Sequence, residues 1–131
     1  MSTTSESNRS RRIEDLAKFD DKGLIVAICQ HHETGNILMV GYMNAQSLAI
    51  TLEKQQACFW SRSRQTLWLK GETSGNVLTV KEIRTDCDAD ALLLQCAPAG
   101  PTCHTGETSC FYRLVDFDGS VTLQGDGVAK E

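Results

Sequence analysis

The feature that most restricts the fold is a succession of short apolar runs, each broken by turn residues, that begins at Lys22 and continues almost to the end of the chain. Such runs have the length of strands, and they do not alternate with helices as a doubly wound parallel sheet requires. Residues 23–30 and 36–42 are rich in Ile, Val and Leu and are separated by His-His-Glu-Thr-Gly-Asn, so they read as a hairpin. Further strands are expected at 57–60, 67–69, 77–84, 91–97, 110–115 and 120–123. Helical spacing is confined to two places. Ile13, Leu16, Ala17 and Phe19 form one short stretch, and Ala45, Leu48, Ala49 and Leu52 follow Asn44, a side chain suited to capping a helix start. The class is therefore β-rich α+β.

A chain of 131 residues supports one core, so residues 13–131 are expected to form a single domain behind a mobile polar tail, residues 1–12. With 40% hydrophobic and 23% charged residues the balance is that of a globular protein. Apolar runs such as residues 24–29 fall far short of the roughly 20 needed to cross a bilayer, which argues against a membrane protein. A formal charge of -4 opposes a nucleic-acid backbone as partner. The beginning of the chain has no apolar stretch of the kind a secretory leader carries, so a cytoplasmic location with reduced thiols is expected.

Reduced thiols direct attention to metals, because the chain has six cysteines. Cys29, Cys58 and Cys96 sit in apolar strand contexts and read as small core residues. Cys87, Cys103 and Cys110 lie in polar company. They are either unrelated surface thiols or ligands of a shared Zn²⁺, and the liability of exposed thiols favours the metal. Three thiolates leave a fourth position for water or for His104, the open geometry of a catalytic zinc.

Cys87 stands inside Asp86-Cys87-Asp88-Ala89-Asp90. In a regular strand the outer carboxylates would be about 13 Å apart, so the segment must curl if all three are to hold one ion. A curled set of oxygen donors suits Mg²⁺ with retained waters; the alternative is a solvated acidic turn that merely ends a strand. Cys87 would then point away from the carboxylates. Two metal sites sharing this peptide could meet one substrate only if a second chain contributes ligands.

The stretch Trp60-Ser61-Arg62-Ser63-Arg64, followed by Lys70-Gly71-Glu72-Thr73-Ser74-Gly75, has the chemistry of a phosphate cradle: guanidinium forks, hydroxyls and glycine backbone. Taken alone the signal is weak, because an Arg- and Ser-bearing strand face is more often a solvated surface and tryptophans are more often core. His31-His32-Glu33 contains half of a zinc-deaminase signature, but the second half is missing and the segment reads as a turn.

Taken together, these motifs, with Cys103-His104-Thr105-Gly106 and Ser109-Cys110-Phe111, resemble the phosphoribosyl-AMP cyclohydrolase family of histidine biosynthesis over about residues 20–115. The resemblance implies a cytoplasmic homodimer whose folded mixed sheet forms a pseudobarrel with one or two short helices. It implies zinc on Cys87, Cys103 and Cys110 drawn from both subunits, magnesium on Asp86, Asp88 and Asp90, and phosphoribosyl-AMP as the small-molecule substrate. Substrate contacts are then expected from Trp60, Ser61, Arg62, Ser63, Arg64, Lys70, Glu72, Thr73 and Ser74. Two positions depart from the family pattern: His31 stands where Asp is common, and Leu69 where a basic residue or His is common. A fused phosphoribosyl-ATP pyrophosphohydrolase domain is not expected in the 16 or so residues after Val115.

The implied chemistry is attack of zinc-activated water at C6 of an N1-ribosylated adenine, followed by N1–C6 cleavage. Three thiolates leave the metal less acidifying than three imidazoles would, which leaves room for a protein base; His104 is the candidate, its alternative being a histidine that only stabilises the loop. The competing reading is a non-catalytic binding module in which His104 closes the zinc tetrahedron and the metal serves only folding.

Overall fold

The computed structural model describes residues 11–126. The tail expected over residues 1–12 falls mostly outside the described residues. Arg12 is its last member and pairs with Glu14 at 2.9 Å. The order of elements is α1 (Ile13–Leu16), β1 (Ile25–His31), β2 (Ile37–Met43), α2 (Ala45–Lys54), β3 (Cys58–Ser61), β4 (Thr66–Leu69), β5 (Leu78–Thr85), β6 (Ala91–Pro98), β7 (Arg113–Val115) and β8 (Val121–Leu123).

The central layer is a four-stranded mixed sheet in the order β2-β1-β6-β5. β1 runs antiparallel to β2 and parallel to β6, while β5 and β6 are antiparallel. Alternation fixes which face is inward: Ile25, Ala27 and Cys29 of β1 and Leu92, Leu94 and Cys96 of β6 are all buried. A bulge at Cys29/Gln30 lets two successive β2 residues, Leu38 and Met39, both turn inward. α2 closes this face through Leu48, with Met43, Phe59, Leu78 and Val80 in the same core.

α2 begins where the sequence indicated. Asn44 Oδ1 accepts from Ser47 N at 2.8 Å and Ser47 Oγ accepts from Asn44 N at 2.8 Å, a reciprocal cap. Buried Thr51 ties the helix to β3, accepting from Cys58 N at 3.0 Å and donating to Ser47 O at 2.9 Å.

The class is β-rich α+β, as expected. The ladders are three, however: the four-stranded sheet and the hairpins β3-β4 and β7-β8 do not close into one barrel among the described residues. α1 also stops earlier than its spacing suggested, because Ala17 is already extended and Lys18 N donates to Ala89 O at 2.8 Å instead of continuing the helix. β7 begins at Arg113 rather than at 110, since Cys110 N is used on Leu38 O and Phe111 N on Ser109 Oγ. Among the described residues no helix is long and apolar enough to cross a membrane.

Candidate active site

Antiparallel β5 and β6 leave only five residues to reverse the chain, and these are the acidic segment. Ala89 N donates to Asp86 O at 3.1 Å, and Asp86 Oδ1 accepts from Asp90 N at 3.0 Å and Ala91 N at 3.3 Å. The reversal forces Ala89 to φ +60, a left-handed conformation that disfavours a Cβ by about 1 kcal/mol. The segment is therefore curled. One carboxylate oxygen from each of Asp86, Asp88 and Asp90 lies within 4.8 Å of the others, and all three residues are exposed.

Like charges held this close titrate unequally. Hydrogen bonding to Asp86 and Asp88, with their charge, raises the Asp90 carboxyl. Desolvation acts to raise Asp86 as well, but its bonds from Asp90, Asp88 and backbone N–H groups outweigh that and hold it low. An oxygen-only, solvent-facing set of this kind fits a hard divalent cation that keeps several waters.

The second cluster is built on the loop between β6 and β7. Cys103 N donates to Glu107 O at 3.1 Å and Gly106 N returns to Cys103 O at 2.9 Å, with Gly106 at φ +95 completing the turn. The far end of the loop is pinned to the bulged edge of β2 by Ser109 Oγ on Ile37 O at 2.6 Å and Cys110 N on Leu38 O at 2.8 Å. This brings the Cys103 and Cys110 thiols close enough to shift each other's titration. Burial pushes Cys103 up, but the Thr105 hydroxyl, donating to its Sγ at 3.1 Å, and Cys110 together bring it below the ordinary thiol value. Desolvation and the Cys103 charge push Cys110 up to about 11.

Cys87 does not join them. Among the described residues the three aspartates are the one group in which three candidate ligand atoms gather within 4.8 Å, and Cys87 is exposed on the curled segment. Paired thiols with a hydroxyl donor suit a soft cation such as zinc, and a single chain leaves that donor set short of three sulfurs. Cys29, Cys58 and Cys96 are buried in the strands. The neighbouring Cys96 thiol and burial together raise the Cys29 thiol.

The basic stretch is divided between two clefts. Trp60 and Arg62, near the β3-β4 turn, line a cavity of about 430 Å³ with Lys22, Leu24, Asn44 and Gln65. The Arg62 guanidinium sits 4.0 Å over the Tyr42 ring, which holds it in place. Tyr42 in turn lines a neighbouring cavity with Lys18 and Asp90, so this end belongs with the carboxylates. Ser61 accepts from Arg64 N at 3.2 Å within the turn, and Ser63 and Arg64 are exposed at its tip. Lys70, Glu72, Thr73 and Ser74 lie at the other end of the hairpin, in a cleft with Trp68, Cys103 and His104. His104 thus faces the same space as one candidate zinc thiol. Sequence reasoning missed Tyr42, whose place beneath Arg62 follows only from which strand ends come together.

Clustered acids, thiols, an imidazole and cations around clefts of this size define an enzyme acting on a small polar substrate. Comparison with known sequences says which kind. A profile of the phosphoribosyl-AMP cyclohydrolase family matches residues 39–112. The chain is 56% identical over 109 residues to a phosphoribosyl-AMP cyclohydrolase of Chlorobium phaeovibrioides, covering 83% of this chain and 80% of that one. It is 57% identical over 107 residues to the enzyme of that name from Rhizorhabdus wittichii, 82% and 86% of the two chains. The chain belongs to the phosphoribosyl-AMP cyclohydrolase family.

Proposed function

We propose that this chain hydrolyses the adenine ring of 1-(5-phosphoribosyl)-AMP between N1 and C6 in the cytoplasm, as a step of L-histidine biosynthesis, and that it works as a homodimer. Zn²⁺ on Cys87, Cys103 and Cys110, with Cys87 supplied by the other subunit, and Mg²⁺ on Asp86, Asp88 and Asp90 are its cofactors.

The observation that carries this reading is the separation of the ligands within one chain. Cys87 and the carboxylates occupy one end with Arg62, while Cys103, Cys110, His104 and Lys70 occupy another. Each end has what the other lacks, so a symmetric pair of chains would complete two sites. Ile37, Val40 and Phe111 are 40, 43 and 60% exposed, and Ile37 and Phe111 adjoin the Cys110 loop, apolar surface suited to such contact.

In the reaction the His104 imidazole accepts a proton from the water that adds to C6, and returns a proton to N1 as the N1–C6 bond breaks. C6 keeps its amino nitrogen and leaves as a carboxamide. A zinc ion on the thiolates would supply Lewis acidity for that water. Arg62, Arg64 and Lys70 offset phosphate charge, Trp60 offers an indole surface, and the hydroxyls of Ser61, Ser63, Thr73 and Ser74 add hydrogen bonds, with Glu72 in the same cleft as Lys70. The family membership favours this over a zinc-stabilised binding module.

The test is ring opening followed by absorbance with purified protein, Zn²⁺ and Mg²⁺. Turnover of phosphoribosyl-AMP, and none of the ATP-derived precursor, is expected; no turnover of phosphoribosyl-AMP overturns the proposal.

A further inference from the structure

Two polar groups in the His104 cleft are buried with fewer partners than burial demands. Lys70, the first residue after β4, is 7% exposed. Its ammonium makes one long hydrogen bond, to Asn76 O at 3.5 Å. The ion pairs among the described residues are Arg12–Glu14 and Arg84–Glu82, so no carboxylate neutralises it. Thr102 is 2% exposed, and its hydroxyl has no hydrogen-bond partner among the described residues. A buried charge without a counter-ion and a buried hydroxyl without a partner are both destabilising, and in a native chain such groups call for an explanation, of which a ligand, water or ion is one.

The two line one cleft of about 310 Å³. The walls of this cleft are closely packed. A Cβ on Gly71, at φ +87, would lie 2.4 Å from Val77 N, and one on Gly100 would lie 2.4 Å from Asn76 Oδ1. The 70–76 turn and the segment leading to Thr102 are therefore packed backbone to backbone and side chain. Thr73, Ser74 and His104 add further polar atoms to the same space.

We propose that Thr102 is a binding residue, whose hydroxyl acts with the Lys70 ammonium to receive a phosphate monoester of the substrate. This rests on the cyclohydrolase reading, which supplies a substrate with two such groups. An anion with several acceptor oxygens takes a hydrogen bond from each of the two donors and cancels the buried charge, which neither water nor a neutral ligand does. The cleft volume matches a sugar phosphate rather than the whole substrate. The second phosphate then falls to the Arg62 cleft.

The experiment compares the wild-type holoenzyme with Thr102→Val, which keeps the shape and removes the hydroxyl. Equilibrium binding of AMP and of ribose 5-phosphate separates the two phosphates of the substrate without requiring turnover. The affinity of at least one probe is expected to fall tenfold or more, and the KM for phosphoribosyl-AMP to rise while kcat stays within about twofold. Thr102→Ser is expected to restore both. The thermal midpoint of Thr102→Val should equal or exceed that of wild type, because an orphan hydroxyl has been replaced by an apolar group. Unchanged affinity for both probes, or a lower midpoint that reveals a partner for the hydroxyl, overturns the proposal. Absence of wild-type turnover with probe binding still sensitive to Thr102→Val would count against the cyclohydrolase reading instead.

Discussion

Gly41→Ala adds one methyl group to β2 at a place where the core has no room for it. Its Cβ would stand 2.6 Å from Phe59 Cδ1 and 2.9 Å from Cε1. Carbon atoms pack at about 3.5–4.0 Å, so the ring must move by roughly 1 Å. Phe59 is 1% exposed and cannot turn outward. On its other side it meets Trp68, with ring centroids 5.6 Å apart at 38°. Overpacking of this kind costs about 1–3 kcal/mol. Taking ~2 kcal/mol, the thermal midpoint of a domain of this length should drop by about 5–10 °C.

The strain also has a direction. Trp68 lines the cleft that holds Lys70 and His104, so a displaced Phe59 narrows that cleft and the KM should rise along with the loss of stability. Urea unfolding of wild type, Gly41→Ala, Phe59→Leu and the double variant tests the cause. If the clash with the ring is the reason, removing the ring relieves it, and the double variant should be more stable than the sum of the singles by about 1 kcal/mol. Additive losses would refute the reasoning, as would a Gly41→Ala chain as stable as wild type.

Serine at Cys87, Cys103 or Cys110 should abolish zinc binding measured by metal analysis of the purified protein, whereas alanine at Cys29 or Cys96 should leave one zinc per chain, because only the first three are proposed ligands. Mg²⁺ should raise the thermal midpoint at neutral pH and lose that effect by about pH 4, where an ordinary Asp is half protonated. The sign follows from Asp90, whose carboxyl is raised: its contribution to metal-free stability is present at low pH and is lost as pH rises through its folded value, so a cation is needed most where the proton has left. Midpoints measured with Mg²⁺ and with chelator across that range check it; a Mg²⁺ effect that is independent of pH would contradict it.

Local chemistry made much of this chain legible in advance. The hairpin β1-β2, the start of α2 at Asn44 and the reversal at Asp86–Asp90 each depend on residues close in sequence: an apolar alternation, a capping side chain, three like charges too far apart in a strand. What could not be read depends on distant parts meeting. The parallel pairing of β1 with β6 joins Val26 to Ala91, and nothing in either run specifies that neighbour over another apolar strand. The basic stretch looked like one cradle because its residues are consecutive. A hairpin sends Arg62 and Lys70 to opposite ends, and only the fold shows that Arg62 rests on Tyr42. Thr102 carried no signal, since an orphan hydroxyl is defined by its surroundings.

The central claim is that one working site takes ligands from two chains. Asp88→Ala disables the proposed magnesium site and Cys103→Ser the proposed zinc site, so each homodimer alone should be inactive. Mixed and allowed to exchange subunits, the two variants can form a heterodimer in which one site receives Cys87 and intact carboxylates from one chain and Cys103 and Cys110 from the other. The account predicts recovery of phosphoribosyl-AMP ring opening to about a quarter of the wild-type rate, from half the dimers carrying one intact site of two. No recovery after subunit exchange has been demonstrated by mass, or a fully active monomer by sedimentation, would contradict it.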